Sequence, residues 1–565
     1  LNIERARRSF EDFLKFMAAT DHLDDSPRTD ILEMSPRRRQ AVTAGVLLGM
    51  FLAAMEMTIV GTAMPTVISA LGGLNHYSWV FSAYLITSTV TVPVWGKISD
   101  LYGRRLPYQI GIALFLLGSM LSGMAGSMTQ LIAFRALQGV GAGALMPLAM
   151  TIIGDIYTLE ERAKMQAVFS AVWGLSSIVG PLIGGFITDQ LSWHWVFYIN
   201  IPFGLAAAAI IGFSLQEPAR LEKPRIDYAG AIVLTLSITA LMLALVESSS
   251  LAALLEPRNI VMLLASGVLL VWFVRIESRA PDPIVPLELL KVRTVSLAIA
   301  ASFFAGMAMF GAVSFVPLFA QGTLGATATE AGSMLTPLML SWVVLSVIGG
   351  RMLLRVGFRA TAICGLILMV MGFVLLSLSR HDTTRVWFYI DLAVIGAGLG
   401  LTMLTLLLAI QHTVSRAQLG IATSLNQFSR SIGGAVGVAV MGAVLSAGLS
   451  SQLAAAAKAP GTPLSPERAS ELALNPSALI DPAARVDLPA PVIEILESSL
   501  SSALHNVFWM CAVLSLCGLI LVFFLPRERV DMARDEKQFD AEHCERLLVS
   551  EMATTAEGGR MKDEG

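Results

Sequence analysis

Charge is what this chain has little of. Asp, Glu, Lys and Arg together make up 14% of its 565 residues, against 55% hydrophobic residues and a mean hydropathy of +0.69. A soluble core cannot hide that much apolar side chain, so a water-soluble globular fold is excluded and a chain threaded repeatedly through a bilayer is indicated. Cysteine is also scarce. Cys364, Cys511 and Cys517 fall in apolar stretches and Cys544 in a polar C-terminal one, a spacing that offers neither a disulfide framework nor a metal site. The seven histidines are scattered, and the chain lacks H-E-x-x-H, G-x-S-x-G and G-x-x-x-x-G-K-S/T. Those absences argue against a zinc hydrolase, a serine hydrolase and a nucleotide-driven pump, so neither a cofactor nor a metal is expected. The formal net charge of -3 gathers into no basic patch, and no nucleic-acid partner is implied. The stretch from Leu1 to Ser35 has no signal-peptide pattern and reads as a polar tail, with Met34 as an alternative start.

What the chain does have is fourteen apolar stretches, each near the roughly 20 residues that cross a bilayer as a helix. Lys and Arg alternate between the short connectors. One set holds Lys97, Arg104 and Arg105, then Arg162 and Lys164, then Arg220, Lys223 and Arg225, then Arg275, Arg279, Lys291 and Arg293, then Arg351, Arg355 and Arg359, and finally Arg416. The opposite set holds only Arg258, Arg380 and Arg385. By the positive-inside rule both termini are expected in the cytoplasm. Residues 450–502, rich in Ala, Pro and Ser, read as an external loop with a short amphipathic helix near Val492 to Leu504.

The run GKISDLYGRR, Gly96 to Arg105, lies between the second and third apolar stretches, and its two glycines permit a tight turn. Gly96, Asp100, Gly103 and Arg104 resemble the loop between the second and third spans of major facilitator superfamily transporters, G-x-L-A-D-R-x-G-R-K. A weak echo follows in GGRMLLRVGFR, where Gly350 and Gly357 repeat the seven-residue interval, Arg359 falls at the offset of Arg105 and Leu354 replaces the acid. Setting residues 229–274 aside as an inserted pair makes the chain six plus two plus six. The expected fold is therefore all-α and membrane-integral, of the major facilitator type with fourteen spans. It would comprise a tail over 1–40, a bundle over 41–213, the inserted pair over 229–274, a second bundle over 295–525 and a tail over 526–565.

An ionisable side chain inside a span needs a reason. Glu56 lies deep in the first stretch, where burial opposes its charge. It resembles the acid of L-D-x-T-I-V in fourteen-span drug:proton antiporters, which implies a proton or cation-drug acceptor; a hydrogen bond to a neighbouring helix is the plain structural reading. Arg135 begins R-x-x-Q-G-x-G with Gln138, Gly139 and Gly141 and lies at a depth from which it could pair with Glu56, or bond backbone carbonyls at a kink. Gly174, Gly180, Pro181, Gly184 and Gly185 thin the fifth stretch for helix packing and look like the family's G-P-x-x-G-G exporter motif. Gly96, Asp100, Gly103, Arg104 and Asp155 are gating candidates, the acids pairing with Arg104, Arg162 or a cation of the second bundle, or capping helix ends. Gln138, Gln321, Asn426 and Arg430 are candidates for a substrate cavity, with packing as the alternative, and Asp391 near a span end reads as reaching lipid headgroups.

The resemblance implies a monomeric antiporter of the inner (cytoplasmic) membrane, with a small molecule, protons and lipid as its partners. It would export amphiphilic compounds in exchange for protons. A dedicated exporter of one endogenous lipid, siderophore or antibiotic is the alternative.

Overall fold

The computed structural model describes residues 34–71, 77–215, 227–247, 253, 255–324, 330, 333–379, 385–458, 464–474 and 489–527, and from Arg37 onward these belong to one compact unit, Arg37–Met532. Of the expected tails over 1–40 and 526–565, residues 1–33 and 528–565 lie outside the described residues, as does most of the loop after Ala457, while Pro36 to Gln40 are helical rather than tail. Regular structure among the described residues is helical. In order run α1 (Pro36–Leu71), α2 (Tyr77–Tyr102), α3 (Arg105–Gly123), α4 (Met128–Ile156), α5 (Leu159–Gln190), α6 (Trp195–Ser214) and α7 (Tyr228–Glu247). Then come α8 (Pro257–Glu277), α9 (Arg293–Leu324), α10 (Thr336–Val356), α11 (Phe358–Leu378), α12 (Arg385–Thr413), α13 (Leu419–Ala457) and α14 (Ala490–Phe523). Among the described residues 12 segments are long and apolar enough to cross a membrane. The long helices outside that set are α2, studded with Ser, Thr and Tyr, and α5, which opens on Glu160, Glu161, Arg162 and Lys164. Both lie where the two halves of the chain meet.

Helix adjacency repeats between the halves. α2 and α3 pack on α4 as α10 and α11 pack on α12, and the seams between halves come as matched pairs, α2 with α13 and α10 with α5, α4 with α13 and α12 with α5. The central helices α4 and α12 are each 29 residues long, and each carries three glycines at the same offsets from its start: Gly139, Gly141 and Gly143 against Gly396, Gly398 and Gly400. A side chain at Gly143 would meet Ser88 of α2 and one at Gly141 would meet Gly111 of α3. Correspondingly, Gly400 faces Trp342 of α10 and Gly398 faces Gly365 of α11. Small residues on alternating sides thus let one buried helix sit in tight contact with two neighbours. The glycine echo has a backbone counterpart too. Gly103, between α2 and α3, has φ 87° and Gly357, between α10 and α11, has φ 84°.

The pair α7 and α8 lies over one of the seams. Val233, Leu234, Ile238 and Met242 of α7 join a cluster with Ile86 and Val90 of α2 and Ile421, Leu425 and Ile432 of α13. At the far end the expectation of a short amphipathic helix near Val492 to Leu504 within an external loop is corrected. Val492, Leu496, Leu500 and Leu504 are buried at helical spacing, but they form the first turns of the continuous α14 and pack on Leu449 and Leu453, where α13 runs beyond its expected end. The spans lengthen because these apolar stripes cover one another.

Gly357 pairs its φ with a ψ of 171°, a region that only glycine occupies readily. Gly357→Ala is expected to lower stability by about 1–3 kcal/mol, read as a fall in the apparent melting midpoint of detergent-solubilised protein. Gly442→Ala, where the added methyl meets open space, is expected to leave the midpoint unchanged or raise it.

Candidate functional site

The most buried polar cluster is built on Glu56, which is 0% exposed, and Arg135, 1% exposed. α4 points the Arg135 guanidinium at α1, and Nη1 donates to Glu56 Oε1 and, at 2.7 Å, to Gln138 Oε1. Nε donates to the Val80 carbonyl at 3.3 Å, and the Tyr84 ring lies 4.3 Å from the guanidinium carbon. The second carboxylate oxygen, Oε2, accepts a 2.6 Å bond from Asn200 Nδ2, which also donates to Ser119 Oγ at 2.9 Å. Asn200 is held there because α6 breaks beside it: Trp195–Tyr198 and Asn200–Ser214 are separate helical pieces, and Pro202 brings no N–H to the restart. The signal in the sequence is the lone amide inside the apolar run FYINIPFG.

The carboxylate and its partners lie wholly within the first half. One residue further, Met57 is 41% exposed, and Gly61 and Gly185 face open space, so α1 and α5 border a solvent- or lipid-accessible region on the side away from the pair. In the second half Leu392 and Ile395 occupy the α12 offsets of Arg135 and Gln138, both fully buried. The repeat is therefore structural, and the Glu56–Arg135 pair has no counterpart at these α12 positions.

A second polar cluster sits at the end of the helices that carries the basic connectors. Asp100 accepts from Arg104 Nη1 at 2.5 Å, from Gly420 N at 3.0 Å and from Ile421 N at 2.7 Å. Arg104 Nε donates to Asp155 Oδ2 at 2.8 Å. Asp100 thus pairs with Arg104, one of its expected partners, and caps the start of α13, a helix of the other half, through two backbone amides. Arg162 donates to the Tyr157 carbonyl. Burial works against the Arg104 charge, but Asp155 and Asp100 outweigh it and the guanidinium pKa stands above its ordinary value. Gly103 makes the turn, as expected. Gly96 does not: it lies inside α2, where a side chain would meet Ser424 and the Gly420 carbonyl, so its smallness serves contact between the halves. Around this seam Gln411 donates to the Met150 carbonyl at 3.4 Å, Ser170 Oγ lies 3.3 Å from Ser346 Oγ, and Leu159 and Ala163 pack with Leu353, Leu404 and Leu408.

In α5, a side chain on Gly180 would run into Thr58 of α1, whose Oγ1 bonds the Ser176 carbonyl at 3.2 Å; Gly174 faces Val343 of α10 at 3.9 Å, and Gly184 is buried. Pro181 lies within the same helix. The four cavity candidates separate. Gln138 belongs to the Glu56 cluster, Asn426 Nδ2 donates to Ser302 Oγ at 2.7 Å and ties α13 to α9, Gln321 is half-buried near the end of α9, and Arg430 is half-buried on α13. Asp391 does not reach out to headgroups; it is buried and accepts from Ser379 Oγ at 2.9 Å.

A sequence profile described as Major Facilitator Superfamily matches residues 46–438. The chain belongs to the Major Facilitator Superfamily. This transporter is 38% identical over 530 residues to "Multidrug transporter protein MdtP" of Bacillus subtilis (strain 168), covering 91% of this chain and 98% of that one. It is 35% identical over 489 residues to "Multidrug resistance protein 3" of the same organism, covering 86% and 95%. Two solved structures share its fold. The human organic anion transporter MFSD10 aligns with TM-score 0.58 at 14% identity over 86% of this chain and 99% of that one. The proton:xylose symporter XylE aligns with TM-score 0.53 at 12% identity over 87% and 96%.

Removing one member of a buried ion pair costs roughly 3–5 kcal/mol, because the other charge is stranded. Arg135→Leu is therefore expected to lower the transporter's melting midpoint sharply, and adding Glu56→Gln to recover part of the loss. Equal effects of Arg135→Leu with and without Glu56→Gln would deny the coupling between them.

Proposed function

We propose that this transporter exports amphiphilic small molecules from the cytoplasm in exchange for protons, with Glu56 as the proton-carrying group. The observation that carries the reading is a carboxylate sealed among a guanidinium, an amide and an aromatic ring in the middle of the first half. A charge so placed is tolerated only while its partner stays in contact, so separation of α1 from α4 makes protonation the cheaper way to neutralise the acid. That is the property a coupling group needs. The relatives named for multidrug transport and resistance favour a lipophilic substrate range.

With the basic connectors on the cytoplasmic side, the contacts of Asp100 with α13 and of Ser170 with Ser346 close the cytoplasmic end, and Met57, Gly61 and Gly185 border the outward opening. Gly96, Asp100, Gly103, Arg104 and Asp155 act as the cytoplasmic gate, and Gly180, with the neighbouring motif residues, as the close contact through which α1 and α5 move together. A proton entering from outside displaces Arg135 as the partner of Glu56, and the protonated carrier turns inward to take its next substrate. Each proton moving inward gains about 2.3 kcal/mol per 100 mV.

In everted vesicles bearing the protein, an imposed proton gradient is expected to drive dye uptake that an uncoupler abolishes while ATP is preserved. Glu56→Gln is expected to lose that gradient-driven transport. Full pH-driven transport by Glu56→Gln contradicts the assignment.

A further inference from the structure

The charges inside the helices are paired in one half and not in the other. Away from the helix ends, the first half holds Glu56 and Arg135, which neutralise each other. In the second half α9, α10, α11 and α13 contain no Asp or Glu at all, and the acids of α14, Glu494 and Glu497, lie near its start. The acid of α12, Asp391, bonds Ser379 and lies about 18 Å along the helix from Met403. Into this bundle α13 brings Arg430, about 16 Å from the start of that helix and so near the middle of a roughly 30 Å hydrocarbon layer.

The contacts of Arg430 leave its charge unanswered. Among the described residues its guanidinium donates to Gln427 Oε1 through Nη2 and lies 3.7 Å from Met403 Sδ through Nη1; Nε has no protein partner. An amide and a thioether carry no charge. The residue is partly buried rather than sealed, and its backbone is fixed. Asn426 bonds Ser302, Ser429 Oγ bonds the Ile299 carbonyl at 2.8 Å, and Gly306 lets the Arg430 carbonyl approach α9 closely. A planar five-donor cation on a fixed backbone at membrane depth, with no carboxylate in reach among the described residues, is a receptor for an anion.

We propose that Arg430 recognises an anionic group, a carboxylate, sulfonate or phosphate, on the transported amphiphile. The proposal rests on the export reading for the region between the halves and adds the substrate class that this reading leaves open. Gln427 orients the guanidinium, and Met403 supplies a polarizable wall for the apolar body beside the anion. The first half then handles the proton and the second half the substrate charge.

Fluorescein and rhodamine 123 share a xanthene core and carry opposite charge, so their equilibrium binding to detergent-purified protein, read by anisotropy, isolates the charge term. The wild type is expected to bind fluorescein. Arg430→Gln is expected to weaken fluorescein at least tenfold and leave rhodamine 123 unchanged or tighter, and Arg430→Lys to keep part of the fluorescein binding. No fluorescein binding by the wild type, unchanged binding by Arg430→Gln, or equal loss of both dyes overturns the proposal, the last by making Arg430 merely structural. Displacement of fluorescein by phosphatidylglycerol but not phosphatidylcholine assigns the site to a lipid headgroup and overturns the substrate assignment. These titrations need no gradient. Failure of Glu56→Gln to impair efflux therefore refutes the coupling alone, and loss of charge discrimination with uncoupler-sensitive efflux intact refutes this inference alone.

Discussion

An ionised carboxylate inside an apolar helical bundle survives only beside a counter-charge, and here that requirement fixes Glu56 to Arg135. Much of the first half serves the contact. Asn200 and Gln138 satisfy what the ion pair leaves free, and the break in α6 exists where the amide must reach in. Gly139 and Gly143 let α2 close on α4 so that Tyr84 covers the guanidinium. The second half carries the same glycine triplet with Leu392 and Ile395 in place of the polar pair. A duplicated scaffold has thus kept its packing and divided its chemistry.

The two halves hold each other at one end through small and polar groups rather than bulky ones. Gly96 and Gly420 bring α2 and α13 near enough for Asp100 to take two backbone amides at the start of α13. Such a contact is directional and short-ranged, so a small tilt removes it entirely, which suits a gate. α7 and α8 add an apolar cover over the same seam. α7 rests on both α2 and α13, with α8 packed on α7, so any relative motion of α2 and α13 must slide beneath α7.

Much of this could be read in the sequence, and the reasons differ by residue. Glu56 and Arg135 stood out because a charge in an apolar run has few explanations, and Gly103 because a turn between two helices calls for its backbone. Asn200 is less legible because a neutral amide costs less to bury than a charge, although here it completes the carboxylate's shell. Gly96 reads as a turn residue from its spacing, which says nothing of the Ser424 and Gly420 that lie across the seam. The outer ends of α13 and α14 were truncated for a similar reason: their apolar stripes are intermittent in sequence and become continuous only when one covers the other. Asp391 looked peripheral by position, and its bond to Ser379 is visible only in three dimensions.

The central claim is that neutralising Glu56 loosens the closed end of the molecule. Ser170→Cys and Ser346→Cys place thiols where the two hydroxyls now lie 3.3 Å apart, in a background lacking Cys364, Cys511, Cys517 and Cys544. Oxidative cross-linking of this pair, with and without Glu56→Gln as a permanent neutral mimic, reads the closed population directly. The account predicts a several-fold drop in cross-link yield when Glu56 is neutral; an unchanged yield would contradict it.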